Sequence, residues 1–389
     1  MSHSSCPACF ATDPESFYLC RQVPVHTTLL MTTRKLALDY PRRDIELVHC
    51  PRCGFISNRL FEPGIHHYSS TCEESQGCSP TFSNWLKGIA QRLINDYKIS
   101  KQKVFEIGSG KGEFLAQICS LGGNSGIGYD PAYVTGRLDE TADHIDFRTE
   151  MWKPRHGIEQ ADVVVCRHTL EHIPGVHDFL RDIRIAIGDN LETLLFFEVP
   201  DVLRVLEEVA FWDIYYEHCS YFSKDSLCAL FRLTGYDILE CWLDYDDQYI
   251  MLVAKPAAET PLSGMPLSAQ PLRTTVNQFR SNFAATRAKW IARLETYART
   301  GTSVILWGGG SKAAAFLNQV DLSGSIRKVI DINPHKQGCF IPGSGQEVVG
   351  PGFLKQETPG VIILMNSIYR SEVQQYLDKN QHDVQLLWI

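Results

Sequence analysis

Two stretches of the 389-residue chain alternate between strand-like and helix-like segments, and each contains a strand, a glycine-rich turn and a helix in succession. The first stretch runs from about residue 80 to 255 and contains VFEIGSGKGEF, and the second runs from 302 to 389 and begins near LWGGGSKAAAF. Regular alternation of this kind is typical of a parallel sheet that carries helices on both faces. The predicted fold class is therefore α/β, with two Rossmann-like units and no sequence repeat between them.

Changes in composition divide the chain into four segments. Residues 1–75 are rich in cysteine, proline and polar residues and are predicted to form an N-terminal lobe, and residues 76–256 the first α/β domain. KPAAETPLSGMPLSAQPL and the polar periodic stretch after it are interpreted as a linker and a connecting helix within 257–300. Residues 301–389 form the second, smaller α/β domain.

Charge and hydropathy exclude several classes of partner. Lys and Arg number 37 against 45 Asp and Glu, and no basic run is present, so nucleic acid and anionic membranes are poor partners. The most apolar windows have strand length, and the N-terminus lacks a basic segment followed by an apolar run. Thirteen cysteines, an odd number, fit metal-bound and free thiols in the reducing cytoplasm, where we expect the protein.

Two Cys-x-x-Cys turns predict a metal site. Cys6 and Cys9 form the first turn, and Cys50 and Cys53 form the second. Two such turns direct four thiolates at one centre, which is the ligand set of a tetrahedral zinc ion. Four protein ligands leave no open coordination position, so the predicted zinc is structural and stabilises a lobe with a thin core. Unrelated thiols or a redox pair are the alternatives.

The turn in VFEIGSGKGEF predicts a cofactor site, because glycines at a helix start let a ligand approach the backbone closely. An acidic residue precedes the first glycine by two positions, and another ends the next strand, where it can bind ribose hydroxyls. These acids and the G-x-G-x-G spacing favour S-adenosylmethionine, since a sulfonium cofactor brings no pyrophosphate to the helix. The predicted cofactor residues are Glu106, Gly108, Ser109, Gly110, Gly112 and Asp130. A purely structural turn is the alternative.

A second glycine turn gives a competing signal. Gly308, Gly310 and Ala313 match G-x-G-x-x-A, and Asp331 closes the next strand at a distance typical of NAD-binding units. The alternative is a unit that binds another phosphate-bearing molecule through this turn and Lys312.

CRHTLEHI, residues 166–173, follows an apolar strand whose carboxyl end is expected to open into the ligand crevice. His168 and His172 are four residues apart and would share one helical face if a helix began here. We interpret His168 as a neighbour of the cofactor and His172 as a residue on the substrate side. A metal pair is conceivable but lacks a third ligand.

The octet YYEHCSYF, residues 215–222, concentrates acid, imidazole and phenol groups before Ser223, which can cap the following helix. A Glu–His pair can make an imidazole a general base, and tyrosines can polarise an oxygen atom. A packed aromatic loop is the alternative.

Together these motifs resemble the zinc-containing, S-adenosylmethionine-dependent sugar C-methyltransferases, which act on nucleotide-linked deoxy-keto-sugars in antibiotic pathways. The resemblance extends over nearly the whole chain and also includes YSSTCEESQGCSPTF (68–82), FFEVP, DINPHKQGCFIPG (331–343) and MNSIYRSEV (365–373). It implies a zinc lobe, a central methyltransferase domain and a C-terminal Rossmann-like domain that binds no S-adenosylmethionine. The substrate, a small molecule, would lie between the lobes of a monomer.

The resemblance also implies roles for individual residues. The residues that would face the sugar are Tyr68, His172, Tyr215, Glu217 and His218. Asn366 and Tyr369 would belong to a substrate site of the C-terminal domain. In the mechanism that we expect, His218 removes a proton next to a ketone and Glu217 raises the basicity of His218. A tyrosine, Tyr215 or Tyr68, would then hydrogen-bond the enolate oxygen.

Three alternatives stay open from the sequence. One is a methyltransferase with the same cofactor and a non-sugar natural product as its substrate. Another is a non-catalytic protein that binds nucleotide-type ligands, and the last is an NAD-dependent dehydrogenase, which depends on GGGSKA alone.

Overall fold

The structure is a computed structural model that describes residues 5–65, 67–138, 144–158, 160–259, 270–321 and 324–389. Residues 260–269 of the predicted linker and residues 1–4 of the predicted N-terminal lobe lie outside the described residues. Among the described helices, none combines the length and the apolar character that crossing a bilayer requires.

The described residues form nine α-helices and sixteen β-strands. The helices are α1 (Arg34–Leu38), α2 (Pro80–Tyr97), α3 (Glu113–Gly122), α4 (Val176–Ile187), α5 (Val202–Glu207), α6 (Lys224–Leu233), α7 (Gln270–Thr300), α8 (Ser311–Val320) and α9 (Arg370–Lys379). The strands are β1 (Glu15–Pro24), β2 (Arg42–His49), β3 (Ile56–Asn58), β4 (Lys103–Ile107), β5 (Ser125–Tyr129), β6 (Ile145–Arg148), β7 (Val163–Arg167), β8 (Leu194–Pro200), β9 (Ser220–Tyr221), β10 (Tyr236–Asp244), β11 (Tyr249–Pro256), β12 (Val304–Trp307), β13 (Lys328–Ile330), β14 (Glu347–Val349), β15 (Val361–Leu364) and β16 (Gln385–Trp388).

An antiparallel sheet of four strands, in the order β1-β2-β3-β9, forms the N-terminal lobe. Three of its strands come from the first 58 residues, but the fourth is Ser220–Tyr221, which pairs with Ile56 and Ser57. The end of the octet is thus a strand of the N-terminal sheet, a pairing that the local sequence did not predict. This pairing fixes His218, two residues before the strand, against the N-terminal lobe.

The central sheet has seven strands in the order β10-β11-β8-β7-β4-β5-β6. Strands β4 to β8 are mutually parallel, and β11 runs antiparallel to both β8 and β10. Val163 and Val165 of β7 pack into a core with α2 and α3, while Val164 and Cys166 pack into another core with α4 and α6. Helices therefore cover both faces, as predicted, and the strand is a continuous apolar run because both faces are buried.

The C-terminal sheet is entirely parallel and has the order β14-β13-β12-β15-β16. The 31-residue helix α7 precedes it, which confirms the predicted connecting helix. Strand β14 was not predicted, because three residues (Glu347–Val349) are too short for a clear pattern. The α/β class, with two parallel-sheet units and an N-terminal lobe, is confirmed.

A left-handed backbone angle limits helix formation at two places. His168 has a φ of 45°, and only a short 3-10 turn, Leu170–His172, follows it, so the condition under which His168 and His172 would share a helical face is not met. The helix-like run DVLRVLEEVAFW, after FFEVP, forms helix α5 only as far as Glu207, shortly before Val209, which has a φ of 55°. A left-handed backbone angle at a residue other than glycine interrupts a right-handed helix.

One large cavity, of about 800 Å³, collects residues from all three sheets. In the central sheet the strand order changes direction between β4 and β7, and Gly108 and His168, which follow these strands, line the cavity. In the C-terminal sheet the corresponding strands are β12 and β15, and Gly308 and Asn366 line the same cavity. Ligands of open α/β sheets bind at such switch points, so both sheets direct their binding edges into one space.

Candidate active site

Of the fifteen residues predicted for catalysis, cofactor or substrate, fourteen line this cavity. They are Tyr68, Glu106, Gly108, Ser109, Gly110, Asp130, His168, His172, Tyr215, Glu217, His218, Lys312, Asn366 and Tyr369. The remaining residue, Gly112, instead begins α3 with a φ of 85°. The tertiary structure thus brings together residues as far apart in the chain as Tyr68 and Tyr369.

The first glycine turn joins β4 to α3 and contacts the strand ends on either side. A Cβ atom at Gly108 would lie 1.8 Å from Thr169 Oγ1, so no larger residue fits there. Asp130 accepts hydrogen bonds from the backbone N–H groups of Gly110, at 2.8 Å, and Ala132, at 2.7 Å. The acidic residue at the end of β5 therefore also shapes the turn.

Unpartnered polar atoms at this turn fit a ligand that carries hydrogen-bond donors. Glu106 Oε2 and Ser109 Oγ are buried and have no hydrogen-bond partner among the described residues. Buried polar atoms in folded proteins are nearly always bonded, so these two atoms indicate a bound group. The ribose hydroxyls and the ammonium of S-adenosylmethionine supply such donors.

Burial raises the pKa of Glu106 to about 8, although Arg167 opposes the shift. Glu74, from the N-terminal lobe, lies over the same turn, since a Cβ atom at Gly110 would be 3.1 Å from Glu74 Oε1. Burial likewise raises the pKa of Glu74 to about 7. Sequence reasoning missed Glu74, although it stands in TCEES, within one of the motifs that carry the resemblance.

Two histidines and two tyrosines form a cluster beside the cofactor turn. The rings of His172 and His218 lie 4.7 Å apart in an edge-to-face arrangement, and Tyr215 lies 4.2 Å from the His218 ring. His172 Nδ1 is 3.0 Å from the backbone oxygen of Glu217 and 2.7 Å from the Tyr68 hydroxyl. A carbonyl oxygen can only accept, so the contact with Glu217 is a hydrogen bond in the tautomer of His172 that carries its hydrogen on Nδ1, and in that tautomer Nε2 is unprotonated.

Burial lowers the pKa of His218 well below its usual value, and the neighbouring His172 and His168 lower it further. Burial also lowers the pKa of His172. Both imidazoles are therefore neutral at neutral pH, which is the state that a general base requires.

The contacts of Glu217 differ from the expected Glu–His pair. Its carboxylate accepts hydrogen bonds from the backbone N–H of Thr27, at 2.9 Å, and from the Thr27 hydroxyl. Glu217 Oε1 lies 3.9 Å from His26 Nδ1. Among the described residues, none of the carboxylate's hydrogen bonds or ion pairs involves the His218 ring. The side chain points toward the N-terminal lobe because the chain turns at this position, and burial raises the pKa of Glu217 to about 7.

His168 lies between two buried carboxylates. Its Nδ1 is 3.3 Å from Glu171 Oε1, and its Nε2 is 2.7 Å from Glu198 Oε1. Burial alone would lower the pKa of His168, but Glu198 and Glu171 outweigh it and raise the pKa to about 9. Glu198, in FFEVP, also forms two hydrogen bonds with Arg167, at 2.6 and 3.1 Å. His168 is thus a fixed positive charge at the edge of the cavity.

The three residues predicted for substrate binding bridge the central and C-terminal domains. Lys312 Nζ lies 3.1 Å from Asp213 Oδ2 and 3.3 Å from Gln248 Oε1. Asn366 exchanges two hydrogen bonds with the Gln248 amide, at 2.9 and 3.1 Å. Tyr369 donates to Gln76 Oε1 at 2.7 Å. Their predicted role in substrate binding stays a prediction, and each now has a second role at a domain boundary.

The second glycine turn repeats the arrangement of the first. Asp331 accepts hydrogen bonds from the backbone N–H groups of Gly309, at 2.7 Å, and Asn333, at 2.8 Å. Lys336 Nζ lies 3.7 Å from the same carboxylate. Together with Lys312, it places two cations on the wall of the cavity near this turn, where an anionic group would be stabilised.

The four predicted zinc ligands lie together. Cys6 Sγ is 3.6 Å from Cys53 Sγ, Cys9 Sγ is 3.6 Å from Cys50 Sγ, and all four sulfur atoms lie within 4.8 Å of one another. Sulfur atoms about 2.3 Å from a tetrahedral zinc ion are roughly 3.8 Å apart, so the cluster fits that ion.

Two protein-family models match the chain. A methyltransferase domain matches residues 82–241, and a C-methyltransferase C-terminal domain matches residues 271–385. The first match, over the sheet that carries the cofactor turn, makes the protein an S-adenosylmethionine-dependent methyltransferase. With the second match, it is a C-methyltransferase that combines both domains. This assignment replaces the dehydrogenase and the non-catalytic alternatives.

One similar protein is itself named as a C-methyltransferase, in agreement with the family matches. The C-methyltransferase NovU of Streptomyces niveus is 26% identical over 352 residues, which cover 85% of this chain and 81% of NovU.

Two solved structures overlap with less than half of this chain. The N,N-8-amino-8-demethyl-D-riboflavin dimethyltransferase RosA of Streptomyces davawensis is 20% identical, with a TM-score of 0.35, and the match covers 45% of this chain and 57% of RosA. The magnesium protoporphyrin IX methyltransferase ChlM of Synechocystis PCC 6803 is 14% identical, with a TM-score of 0.36, over 46% of this chain and 84% of ChlM.

Proposed function

We propose that the enzyme methylates a carbon atom next to a ketone, and that its acceptor is a nucleotide-linked keto-deoxysugar. The observation that carries this proposal is the pair of neutral imidazoles, buried His218 and half-buried His172, between two glycine turns in one cavity. One turn suits the cofactor, and the other, with Lys312 and Lys336, suits a phosphate-bearing group. A cavity of about 800 Å³ lies in the upper part of the usual range for ligand sites and has room for both molecules.

Carbon becomes nucleophilic here only if a base removes a proton from it. In our proposal His218 takes this proton, because its ring is buried, neutral and directed into the cavity beside Tyr215. The electron pair of the broken C–H bond delocalises onto the ketone oxygen. Tyr215 or Tyr68 hydrogen-bonds this oxygen and stabilises the developing negative charge.

The cofactor site holds S-adenosylmethionine through Glu106, Ser109, Asp130 and the glycine turn in this proposal. When bound, the cofactor supplies an electrophilic methyl group. The chain contributes mainly by orienting the acceptor carbon toward that group and by excluding water from the cavity.

We also propose that Cys6, Cys9, Cys50 and Cys53 hold a structural zinc ion. The spacing of the four sulfur atoms and the burial of Cys6, Cys50 and Cys53 support this assignment. All four positions are occupied by protein ligands, so the ion would take no part in the reaction.

The base assignment is tested by His218→Asn and His218→Ala. With a nucleotide-linked 4-keto-deoxysugar as acceptor, we expect both variants to lose about 10²- to 10⁴-fold in the rate of methyl transfer, the usual contribution of a positioned base. His144→Asn, at an exposed histidine outside the cavity, is the matched control. Rates near that of the wild type in both His218 variants would refute the assignment. Methylation of a non-sugar ketone in preference to every nucleotide-linked one would refute the substrate class.

A further inference from the structure

Glu171 is a buried carboxylate that the mechanism above does not use. It lies in the 3-10 turn Leu170–His172, is 1% exposed, and lines the cavity. Its Oε1 is 3.3 Å from His168 Nδ1, whereas its Oε2 has no hydrogen-bond partner among the described residues. An unpartnered buried oxygen that faces a binding cavity indicates a ligand or a group that changes charge during the reaction.

The Glu171 carboxylate is close to both imidazoles of the cluster. One of its oxygen atoms, a ring nitrogen of His172 and a ring nitrogen of His218 lie within 4.8 Å of one another. By contrast, the carboxylate next to His218 in sequence, Glu217, is directed at Thr27 of the N-terminal lobe. In the described residues, Glu171 is therefore the acid that the structure brings to the His172–His218 pair.

A base in this position needs a nearby negative charge. When His218 takes a proton it becomes a cation in a buried site that already contains the charged His168. Burial and like charge both oppose that step, while a carboxylate within about 5 Å favours it. The titratable side chains around the Glu171 carboxylate are His168, His172, His218, Tyr68, Tyr215 and Cys166. Cys219 belongs to the same group, since its thiol donates to the backbone oxygen of Glu171, at 3.6 Å, and also interacts electrostatically with the carboxylate.

We propose that Glu171 is a positioning residue that stabilises the imidazolium formed on His218, in the role that sequence adjacency assigned to Glu217. The proposal rests on the proposed function, because it requires that His218 accept the substrate proton. The C–H bond breaks, its electron pair stays with the substrate as the enolate, and the proton moves to His218 opposite Glu171. After methyl transfer, the proton passes to water and His218 is neutral again.

Proton removal can be measured apart from methyl transfer. In D₂O, with S-adenosylhomocysteine in place of the methyl donor, the full-length enzyme is incubated with a nucleotide-linked 4-keto-deoxysugar, and deuterium incorporation is followed by mass spectrometry. For Glu171→Gln we expect at least a tenfold slower exchange at neutral pH. We also expect the acid limb of its pH–rate profile to lie at least half a pH unit lower, because loss of the negative charge lowers the pKa of the His218 imidazolium. Glu171→Asp, which keeps the charge, should keep the limb of the wild type.

Three comparisons make the result specific. Glu357→Gln, at an exposed carboxylate outside the cavity, should match the wild type in rate and pH profile. Glu217→Gln should move the acid limb less than Glu171→Gln does. The zinc content of Glu171→Gln should equal that of the wild type.

Several outcomes would overturn the proposal. If Glu171→Gln slows deuterium exchange but leaves the acid limb of the pH–rate profile unchanged, Glu171 has a structural role. If the acid limb shifts in Glu217→Gln alone, Glu217 is the residue that stabilises the His218 imidazolium. Loss of one bound metal ion in Glu171→Gln would make Glu171 a metal ligand. If the wild type neither catalyses exchange in any keto-sugar nor methylates one, the proposed function is wrong. If the wild type catalyses exchange and Glu171→Gln is equally active, only the role of Glu171 is wrong.

Discussion

Three carboxyl groups in the cavity have raised pKa values and surround the proposed cofactor site. Burial raises the pKa of Glu106 to about 8 and that of Glu74 to about 7, and it raises the pKa of Asp130 as well. All three carboxyl groups surround the same glycine turn. A ligand with a sulfonium and an ammonium group would favour their ionised forms, so binding and proton release should be coupled.

The affinity for S-adenosylmethionine should therefore depend on pH. In the free enzyme Glu106 is protonated below about pH 8, and the cationic ligand must displace that proton. We expect the dissociation constant to rise as the pH falls from 8.5 to 6.5, by up to about tenfold per pH unit. Calorimetry in buffers of different ionisation enthalpy should show proton release near pH 7.

Glu106→Gln isolates the contribution of Glu106 to this pH dependence from the contributions of Asp130 and Glu74. The variant should bind S-adenosylmethionine more weakly at pH 8.5 and show a flatter pH dependence, with Asp130 and Glu74 responsible for what remains. Glu357→Gln should keep the slope of the wild type. An unchanged slope in Glu106→Gln would show that another group titrates.

Among the secondary-structure elements, the strand–turn–helix unit β4–α3 forms the proposed cofactor site. Gly108, Gly110 and Gly112 have positive φ angles of 76°, 53° and 85°, so the backbone folds back over the end of β4. Thr169, after β7, fills the space next to Gly108. The turn is therefore specified by its own glycines and by the neighbouring strand.

Gly108→Ala should be far more damaging than Gly123→Ala. Both glycines have positive φ angles, 76° and 62°, but a Cβ atom at Gly123 has no heavy atom within 4 Å, whereas one at Gly108 meets Thr169. We expect Gly123→Ala to lower the free energy of unfolding by about 1–2 kcal/mol through backbone strain alone. Gly108→Ala adds overpacking, for a total of about 2–5 kcal/mol, and should abolish cofactor binding.

Urea unfolding and calorimetric titration with S-adenosylmethionine measure both effects. Equal losses of stability in the two variants would mean that the contact with Thr169 contributes nothing.

Across the described part of the molecule, the proposed active site lies where three sheets meet. Phe55, close to the second cysteine turn, packs against Phe222 of the octet with ring centres 5.3 Å apart. Cys6, Cys50 and Cys53 belong to the same apolar core as Leu227 and Leu230 of α6. The cysteine cluster thus supports the segment that carries His218, although its sulfur atoms lie outside the cavity lining.

Removal of the metal site should impair catalysis more than cofactor binding. In Cys50→Ser and Cys53→Ser we expect the zinc content to fall from one ion per chain to none and the melting temperature to decrease. Methyl transfer should fall by about 10²-fold, because a displacement of roughly 1 Å in catalytic groups has that effect. The affinity for S-adenosylmethionine should change less, since the glycine turn belongs to the central sheet.

Cys78→Ser, at an exposed free thiol on the wall of the cavity, is the control for zinc content and melting temperature and should keep its zinc. Zinc analysis, thermal unfolding and calorimetry distinguish the variants. Full activity in a zinc-free Cys50→Ser protein would show that the cysteine cluster does not support the geometry of the active site.

Local patterns were sufficient to predict the elements. The helices at Val176–Ile187 and Lys224–Leu233 follow apolar periodicity, and Ser223 caps the second one by accepting from Ser226 N–H, as the sequence indicated. The sequence likewise predicts the two glycine turns, the two cysteine turns and the alternation of strands and helices, because each depends on a few neighbouring residues. The sequence by itself therefore determined the α/β class, the methyltransferase cofactor turn and the residues that could line a site.

Only the tertiary structure decided which of these side chains meet. Glu217 and His218 are adjacent in sequence, yet the Glu217 carboxylate contacts Thr27, because successive side chains project in different directions where the chain turns into β9. Glu171, from the end of β7, comes close to His218 although 47 positions separate them. Local sequence governs backbone conformation, but proximity between distant residues depends on strand order and sheet packing. Strand order and sheet packing therefore bring Glu171, rather than Glu217, close to the His218 ring.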